Sequence, residues 1–138
     1  MKKYELTSEK KVINGVELHQ IKALKSFGNI KEGDLGGWIE SEKNLSQYGG
    51  AWVGGNAMVY GDATVGGNAD FIVFKNWWSS GRYFTWTRSN NKWEVGCFYG
   101  SGEELIVKAY KDSEKSGREY ERVVKYVESI LKEENNNK

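Results

Sequence analysis

The sequence predicts a β-rich α+β fold whose central element is a short hexapeptide-repeat β-helix of the left-handed type. Three observations support this prediction. Residues 49–72 repeat a six-residue pattern four times, an Asn-Gly pair near the N-terminus marks a hairpin, and residues 101–131 carry apolar residues at helical spacing. We therefore expect an N-terminal hairpin cap, the β-helix, a small aromatic β-hairpin and two C-terminal helices, in that order.

The repeat is clearest at its alanines, each of which is followed two positions later by a bulkier apolar residue. These residues are Ala51, Ala57, Ala63 and Ala69, followed by Val53, Val59, Val65 and Phe71. Residues two apart on a strand face the same side, so both members of each pair are predicted to point inward. A period of six fits neither a helix nor a simple hairpin, and it is typical of a hexapeptide β-helix.

Worn copies of the repeat extend upstream through Leu45 and Ile39, which predicts about six units over residues 37–72. Glycine followed by Asn or Asp would form the corners, because these residues tolerate positive φ. A β-helix of only about six units cannot bury its own two ends, and it would therefore need caps or partner chains. The alternative is a Gly-rich meander whose spacing is accidental.

Residues 1–36 are predicted to form the N-terminal hairpin and capping loop. Asn14-Gly15 is the strongest short signal for a type I′ turn, and it predicts two strands within residues 4–24. Residues 25–36 form a Gly-rich loop, and Trp38 would close that end of the β-helix.

Residues 73–133 are predicted to form a small α+β end domain, followed by a disordered tail at 134–138. Residues 82–88 and 92–99 predict two strands. Ser101 with Glu104, and Ser116 with Glu119, predict capping boxes that each start a helix. The second helix carries the cleaner apolar stripe, which consists of Tyr120, Val123, Val124, Val127, Ile130 and Leu131.

Composition narrows the function class. The chain has 138 residues, enough for one domain or two very small ones, and a net charge of +1, which makes nucleic-acid binding unlikely. One cysteine excludes an internal disulfide. No apolar run suits a signal peptide or a membrane span, so we expect no membrane association and a cytoplasmic protein.

The sequence has few residues of the types usual in catalysis. We therefore expect a non-enzymatic protein with no catalytic residues, no metal site and no cofactor. His19 is the single histidine and is predicted to be an exposed strand residue. Cys97 lies among aromatic residues, where a thiol is usually an inert packing group. Acyltransferases built on hexapeptide repeats use a histidine, and residues 37–72 contain none, which makes a transferase the weaker alternative.

The aromatic segment after the repeat supplies the candidate binding site. Flat aromatic faces beside guanidinium groups suit a ligand with a base and phosphates, since rings stack on the base and arginine binds phosphate oxygens. The candidate ligand-binding residues are Lys75, Trp77, Trp78, Ser80, Arg82, Phe84, Trp86 and Arg88. The alternative is that these aromatic residues form the core of the end domain, with the arginines reaching outward.

The segment 33–46, with the Gly-Asn-Ala-x-Val-Tyr units that follow it, resembles a family of small hexapeptide-repeat, polymer-forming-like accessory proteins of phages and prophages. The resemblance covers about residues 4–70, and the family usually has more hexads. It implies a phage accessory protein in the cytoplasm of an infected or lysogenic bacterium, without an identified activity.

Together these observations predict a homo-oligomer, a trimer or larger, that sequesters a small anionic nucleotide-like immune signal. The signal would be a cyclic nucleotide or an ADP-ribose derivative, and its removal would block host anti-phage defence. Alternatively, the aromatic residues form a protein interface of an inhibitor or of a structural phage module, because Trp, Tyr and Arg are also typical of binding hot spots.

Overall fold

The computed structural model describes residues 1–136, which divide into two compact units, Met1–Tyr99 and a second unit that begins at Gly100. The first unit holds two four-stranded sheets and the second holds two helices. The elements are β1 (Tyr4–Ile13), β2 (Val16–Ala23), β3 (Leu35–Ile39), β4 (Met58–Val59), β5 (Phe71–Lys75), β6 (Tyr83–Thr87), β7 (Lys92–Val95), β8 (Phe98–Gly100), α1 (Gly102–Asp112) and α2 (Glu114–Asn136).

The first sheet has the strand order β1-β2-β3-β4. β1 and β2 form the predicted hairpin, and its turn places Asn14 at φ 53° and Gly15 at φ 78°, the two left-handed positions that a type I′ turn requires. β3 pairs antiparallel with β2 and parallel with β4. The sequence signal for this hairpin is therefore confirmed at its turn.

The core of the first sheet contains six of the eight repeat residues that were predicted to point inward. Phe71 is partly buried against this core, and the prediction is wrong for Ala69, which is exposed. Ala51, Val53, Ala57, Val59, Ala63 and Val65 are buried together with Ile39 and Leu45. Tyr4 and Ile21 of the hairpin pack into the same cluster. The six-residue spacing thus identifies interior side chains, because small and β-branched residues alternate with turn residues along this stretch.

The structure contradicts the predicted β-helix. Residues 37–72 form no solenoid, and between β3 and β5 the chain consists of turns, two 3₁₀ turns and the two-residue strand β4. A β-helix requires each unit to pair with the next turn, whereas parallel pairing here is confined to the β3–β4 contact and a bridge between Leu45 and Val65. Glycines with positive φ, such as Gly55 and Gly61, turn the backbone instead.

The second sheet has the order β5-β6-β7-β8, with β6 antiparallel to both β5 and β7. Strand register places apolar side chains on one face, namely Ile72, Phe74, Phe84, Trp86 and Trp93. The opposite face carries Thr85, Thr87 and Glu94, which are also buried. This sheet therefore has a polar interior face as well as an aromatic one.

The helical unit begins as predicted. The Ser101 hydroxyl accepts a hydrogen bond from the Glu104 backbone N–H at 3.2 Å, and the Glu104 carboxylate accepts one from the Ser101 N–H at 3.0 Å. This capping box is confirmed. Leu105 and Ala109 of α1 and Tyr120, Val124 and Val127 of α2 are buried.

The second predicted capping box is wrong, because α2 begins at Glu114 and Ser116 lies inside it. Ser113 takes the capping role, since its hydroxyl accepts a hydrogen bond from the Ser116 N–H at 3.0 Å. Of the tail that was predicted to be disordered, residues 134–136 continue α2, and residues 137–138 lie outside the described chain.

Candidate functional site

A cleft of about 480 Å³ in the first unit, hereafter the Arg82 cleft, brings together segments that are far apart in the sequence. β1 contributes to one wall, the repeat to another, and the segments before β6 and after β7 to the rest. Its lining residues are Lys11, Ile13, Asn56, Met58, Gly81, Arg82, Tyr83, Gly96 and Cys97.

Strand alternation on β1 directs Lys11 into the cleft, while Lys10 points to the other side of the sheet. The Lys11 ammonium lies 4.4 Å from the centroid of the Trp38 ring, a cation–π contact. Burial lowers the pKa of Lys11. No carboxylate within residues 1–136 pairs with it, whereas Lys10 forms an ion pair with Glu17 at 3.3 Å.

Arg82 is exposed at the start of β6, and its guanidinium lies over the backbone of Gly96. The Arg82 backbone N–H donates to the Ser80 hydroxyl at 3.1 Å, which shapes the turn before β6. Among the described residues, its guanidinium N–H groups have no acceptor. Five donors in a planar fork are therefore available to an anion at the cleft.

The other lining groups are neutral. Tyr83 is exposed, and its ring centroid lies 5.9 Å from the Lys75 ammonium. Asn56 and the Cys97 thiol are also exposed, and Met58 is apolar and buried. The cleft therefore combines two cations, an amide and a flat ring without any lining carboxylate.

A buried acid lies close to this cleft in the sequence and in the sheet. Glu94 is two residues before Gly96, on the same sheet face as Thr85, and burial raises its pKa to about 9. Neither carboxyl oxygen has a hydrogen-bond partner in the described chain, although the nearby Tyr60 backbone offsets part of the burial effect. Glu94 is neutral at pH 7 and so does not cancel the charge of Lys11 and Arg82.

The structure separates the residues that the sequence predicted as one site. Phe84 and Trp86 are 1% and 0% exposed, so these rings belong to the core and offer no stacking face. Arg88 donates through Nε to the Ala69 carbonyl at 3.0 Å. The stacking role predicted for Phe84 and Trp86 is corrected: the cross-strand pairs Phe74–Phe84 and Trp86–Trp93 keep these rings inside the second sheet.

The remaining predicted residues lie on or near the surface around β5 and β6. Trp77 is 67% exposed, Trp78 is partly buried and meets it edge-on at 5.9 Å, and Lys75 and Ser80 are exposed. Of the eight predicted residues, Arg82 is the one that lines the cleft described above.

Sequence reasoning missed Lys11, Asn56 and Met58 as partners of Arg82. Strand alternation could have placed Lys11 and Ile13 on one face, but nothing in the sequence indicates that this face meets the turn before β6. Cys97 was predicted to be a packing residue and is exposed instead. His19 is half-buried on β2, with Nε2 3.1 Å from the Glu17 carboxylate.

No protein-family model and no curated protein matches the chain. The resemblance to phage hexapeptide-repeat proteins therefore stays a prediction. In residues 1–136, no group of three or more His, Cys, Asp or Glu side chains could hold a metal ion. None of the described helices is both long and apolar enough to cross a membrane.

Proposed function

We propose that this protein binds a small anionic ligand of the nucleotide type in the Arg82 cleft, without catalysing a reaction. The observation that carries the proposal is the pair of cations, Lys11 and Arg82, that face a cleft without a lining carboxylate. Unpaired cations at a concave surface favour an anion.

Four of the lining residues have a role in this proposal. The Arg82 fork would bind two phosphate oxygens, and the Lys11 ammonium would add a second, compact positive charge. Tyr83 offers a ring on which a base can stack, and Asn56 offers an amide that can both donate and accept. This arrangement replaces the predicted cluster of rings around Phe84 and Trp86.

We further propose that the protein acts by sequestration of a cyclic nucleotide or an ADP-ribose derivative that signals host anti-phage defence. This part rests on the resemblance to phage accessory proteins. It includes the predicted homo-oligomer of three or more chains in the host cytoplasm.

Isothermal titration calorimetry with cyclic dinucleotides, ADP-ribose isomers, adenosine monophosphate and uncharged adenosine tests the binding. We expect at least one charged compound to bind and adenosine to bind weakly or not at all. Lys11→Ala and Arg82→Ala should each weaken binding roughly tenfold or more, as expected for the loss of one charge-assisted contact.

Lys10→Ala is the matched control, because it removes the same charge from the neighbouring position and from a side chain that is paired with Glu17. Equal losses for Lys10→Ala and Lys11→Ala would reject the cleft as the site. Chromatography of the ligand after long incubation tests sequestration, and a changed ligand would reveal an enzyme instead.

A second candidate function, a protein-binding inhibitor or structural module, is favoured by the exposed Trp77. Large exposed tryptophans are typical of interface hot spots. Loss of a host-protein partner in Trp77→Ala, with that partner retained by Arg82→Ala, would support this alternative.

A further inference from the structure

A second cleft of about 540 Å³ lies on the first unit, where the start of β1 meets the loop that follows Leu45. It is lined by Met1, Lys2, Lys25, Gln47, Tyr48 and Gly49. None of these residues lines the Arg82 cleft, so its chemistry can be considered separately. We refer to it as the Lys25 cleft.

A buried cation lies beside this cleft. Lys3 is 1% exposed, and its ammonium donates to the carbonyl oxygens of Ala51 at 2.6 Å and Gly49 at 3.4 Å. It also lies 5.3 Å from the centroid of the Phe27 ring. Within residues 1–136 no carboxylate pairs with it, and burial, followed by the charge of Lys25, lowers its pKa. A buried charge without a counter-ion favours an anion nearby.

The acid that contacts two lining residues of this cleft, Glu42, does not supply that counter-ion. Glu42 forms an ion pair with Lys2 at 3.0 Å and accepts a hydrogen bond from the Gln47 amide at 2.8 Å. Its single charge is thus matched by Lys2. The positive charges of Lys3 and Lys25 remain without a carboxylate partner in the described chain.

The cleft is also held in a fixed shape. The Gln47 side-chain oxygen Oε1 accepts from the backbone N–H groups of Lys3 at 2.8 Å and Tyr4 at 3.2 Å. Its side-chain nitrogen Nε2 donates to the Tyr4 backbone carbonyl at 3.1 Å. Next to it, Tyr48 is 85% exposed, so its ring is available at the rim. A preformed site needs less ordering on binding.

We propose that the Lys25 cleft is a second ligand site, which binds a small phosphate-bearing molecule with its phosphate on Lys25 and a flat group on the Tyr48 ring. The Lys3 ammonium lies 3.4 Å from the carbonyl oxygen of Gly49, which lines the cleft, so its positive charge would also attract the phosphate. The proposal is independent of the Arg82 cleft, since the two sites share no lining residue.

Backbone amide NMR shifts of the full chain separate the two sites when inorganic pyrophosphate and adenosine monophosphate are titrated. The Gly49 amide and the Gln47 side-chain amide report on the Lys25 cleft, whereas Gly81 and Gly96 report on the Arg82 cleft. We expect both probes to shift the Gly49 and Gln47 signals saturably, and uncharged adenosine to leave them in place.

Lys25→Ala should lower the affinity measured from the Gly49 amide shift roughly tenfold, whereas Arg82→Ala should leave that affinity unchanged. Lys22→Ala is the matched control, because Lys22 is an exposed lysine on β2 that does not line the cleft. Tyr48→Ala should weaken the binding of adenosine monophosphate and leave the binding of pyrophosphate unchanged. This difference separates stacking from phosphate recognition.

Several results would overturn the proposal. These are linear shifts without saturation, equal losses for Lys22→Ala and Lys25→Ala, or no shift at Gly49 with either probe at millimolar concentration. A saturable shift of the Gly96 amide without a shift of the Gly49 amide would support binding in the Arg82 cleft and contradict binding in the Lys25 cleft.

Discussion

The guanidinium of Arg82 occupies the space beside the α-carbon of Gly96. A β-carbon at position 96 would lie 3.0 Å from Arg82 Cζ and nearer still to Nη1. Gly96 also has φ 56°, in the left-handed region. The position of Arg82 in its cleft therefore depends on the absence of a side chain at residue 96.

Gly96→Ala should displace Arg82 and weaken anion binding at the Arg82 cleft roughly tenfold, as loss of one charged contact would. It should also cost about 1 kcal/mol of unfolding free energy, because alanine is strained at positive φ. Calorimetry and urea unfolding measure the two effects.

Gly28→Ala is the control for this prediction. Gly28 has a nearly equal φ of 52°, and a β-carbon there meets nothing within 4 Å. It should show the same strain cost and unchanged binding. Weakened anion binding in both variants would show that the loss comes from lower protein stability and not from displacement of Arg82.

The free energy of unfolding should depend on pH through Glu94. Its pKa is about 9 in the folded protein, against an ordinary value of 4.5, so between these values the folded state holds a proton that the unfolded state has released. The contribution of Glu94 to the free energy of unfolding is therefore fully present below about pH 4.5. It is lost as the pH rises toward 9, by up to about 1.4 kcal/mol per pH unit.

Glu94→Gln should remove this slope, since the amide does not ionise, and should be the more stable protein at pH 8.5. Urea unfolding at pH 6 and pH 8.5 measures the difference. The facing phenols do not compete in this range, because burial raises the pKa values of Tyr60 and Tyr99 to about 12. An equal slope in Glu94→Gln and wild type would contradict the prediction, and the exposed Glu9→Gln variant provides the reference.

Gly117→Ala should destabilise the helical unit although alanine is the better helix former. A β-carbon at residue 117 would lie 2.6 Å from Tyr110 Cε1 and nearer still to Cγ and Cδ1. Tyr110 would have to rotate and lose its 2.8 Å hydrogen bond to Glu121. We expect a loss of about 1–3 kcal/mol in thermal unfolding followed by circular dichroism.

A double-mutant cycle tests that cause. In a Tyr110→Ala background the steric conflict is absent, so Gly117→Ala should become neutral or stabilising by up to about 1 kcal/mol. The same loss in both backgrounds would show that Tyr110 is not the obstacle.

Asn44→Ala should destabilise the first unit by about 1–3 kcal/mol, because it removes the side-chain partner of four backbone groups, one of which, the Ala63 carbonyl, is in a buried hydrogen bond. The Asn44 side-chain oxygen Oδ1 accepts from the backbone N–H groups of Glu40 and Ser41. Its side-chain nitrogen Nδ2 donates to the carbonyls of Gly61 and Ala63 at 3.2 Å and 2.8 Å. Asn68 is exposed in the second 3₁₀ turn, and Asn68→Ala should change stability by less than about 0.5 kcal/mol. Comparable urea midpoints for the two variants would contradict this.

Local chemistry explains which elements the sequence predicted. The Asn14-Gly15 turn and the Ser101 cap each depend on a few adjacent residues, and both are found in the structure. The prediction of a Ser116 cap was wrong because Ser113, three residues earlier, offers the same hydroxyl and accepts the capping hydrogen bond. The sequence alone does not decide which of these two serines caps the helix, because the choice depends on how the helix packs against its neighbours.

The repeat shows a different limit. Its spacing identified buried side chains such as Val53, Val59 and Val65, but periodicity says nothing about which backbone groups pair. Without the pairing of successive units, the same buried residues form a turn-rich core beside an antiparallel hairpin.

The Arg82 cleft shows the limit for sites. Arg82 was predicted from its aromatic neighbours, yet its partners Lys11 and Asn56 come from distant segments. Their proximity depends on long-range sheet contacts, which no local pattern contains. For the same reason the sequence could not show that Phe84 and Trp86 are interior.

The exposed thiol of Cys97 has a practical consequence for every measurement of mass or affinity. Because the chain has one cysteine, a disulfide between protein cysteines can only join two molecules, and the cross-link would lie at the rim of the Arg82 cleft. Such a covalent dimer would imitate a native assembly while blocking the entrance for anions. A sample kept under reductant, or a Cys97→Ser variant, should therefore bind more ligand per chain than an aged one and should run as a single band on a non-reducing gel.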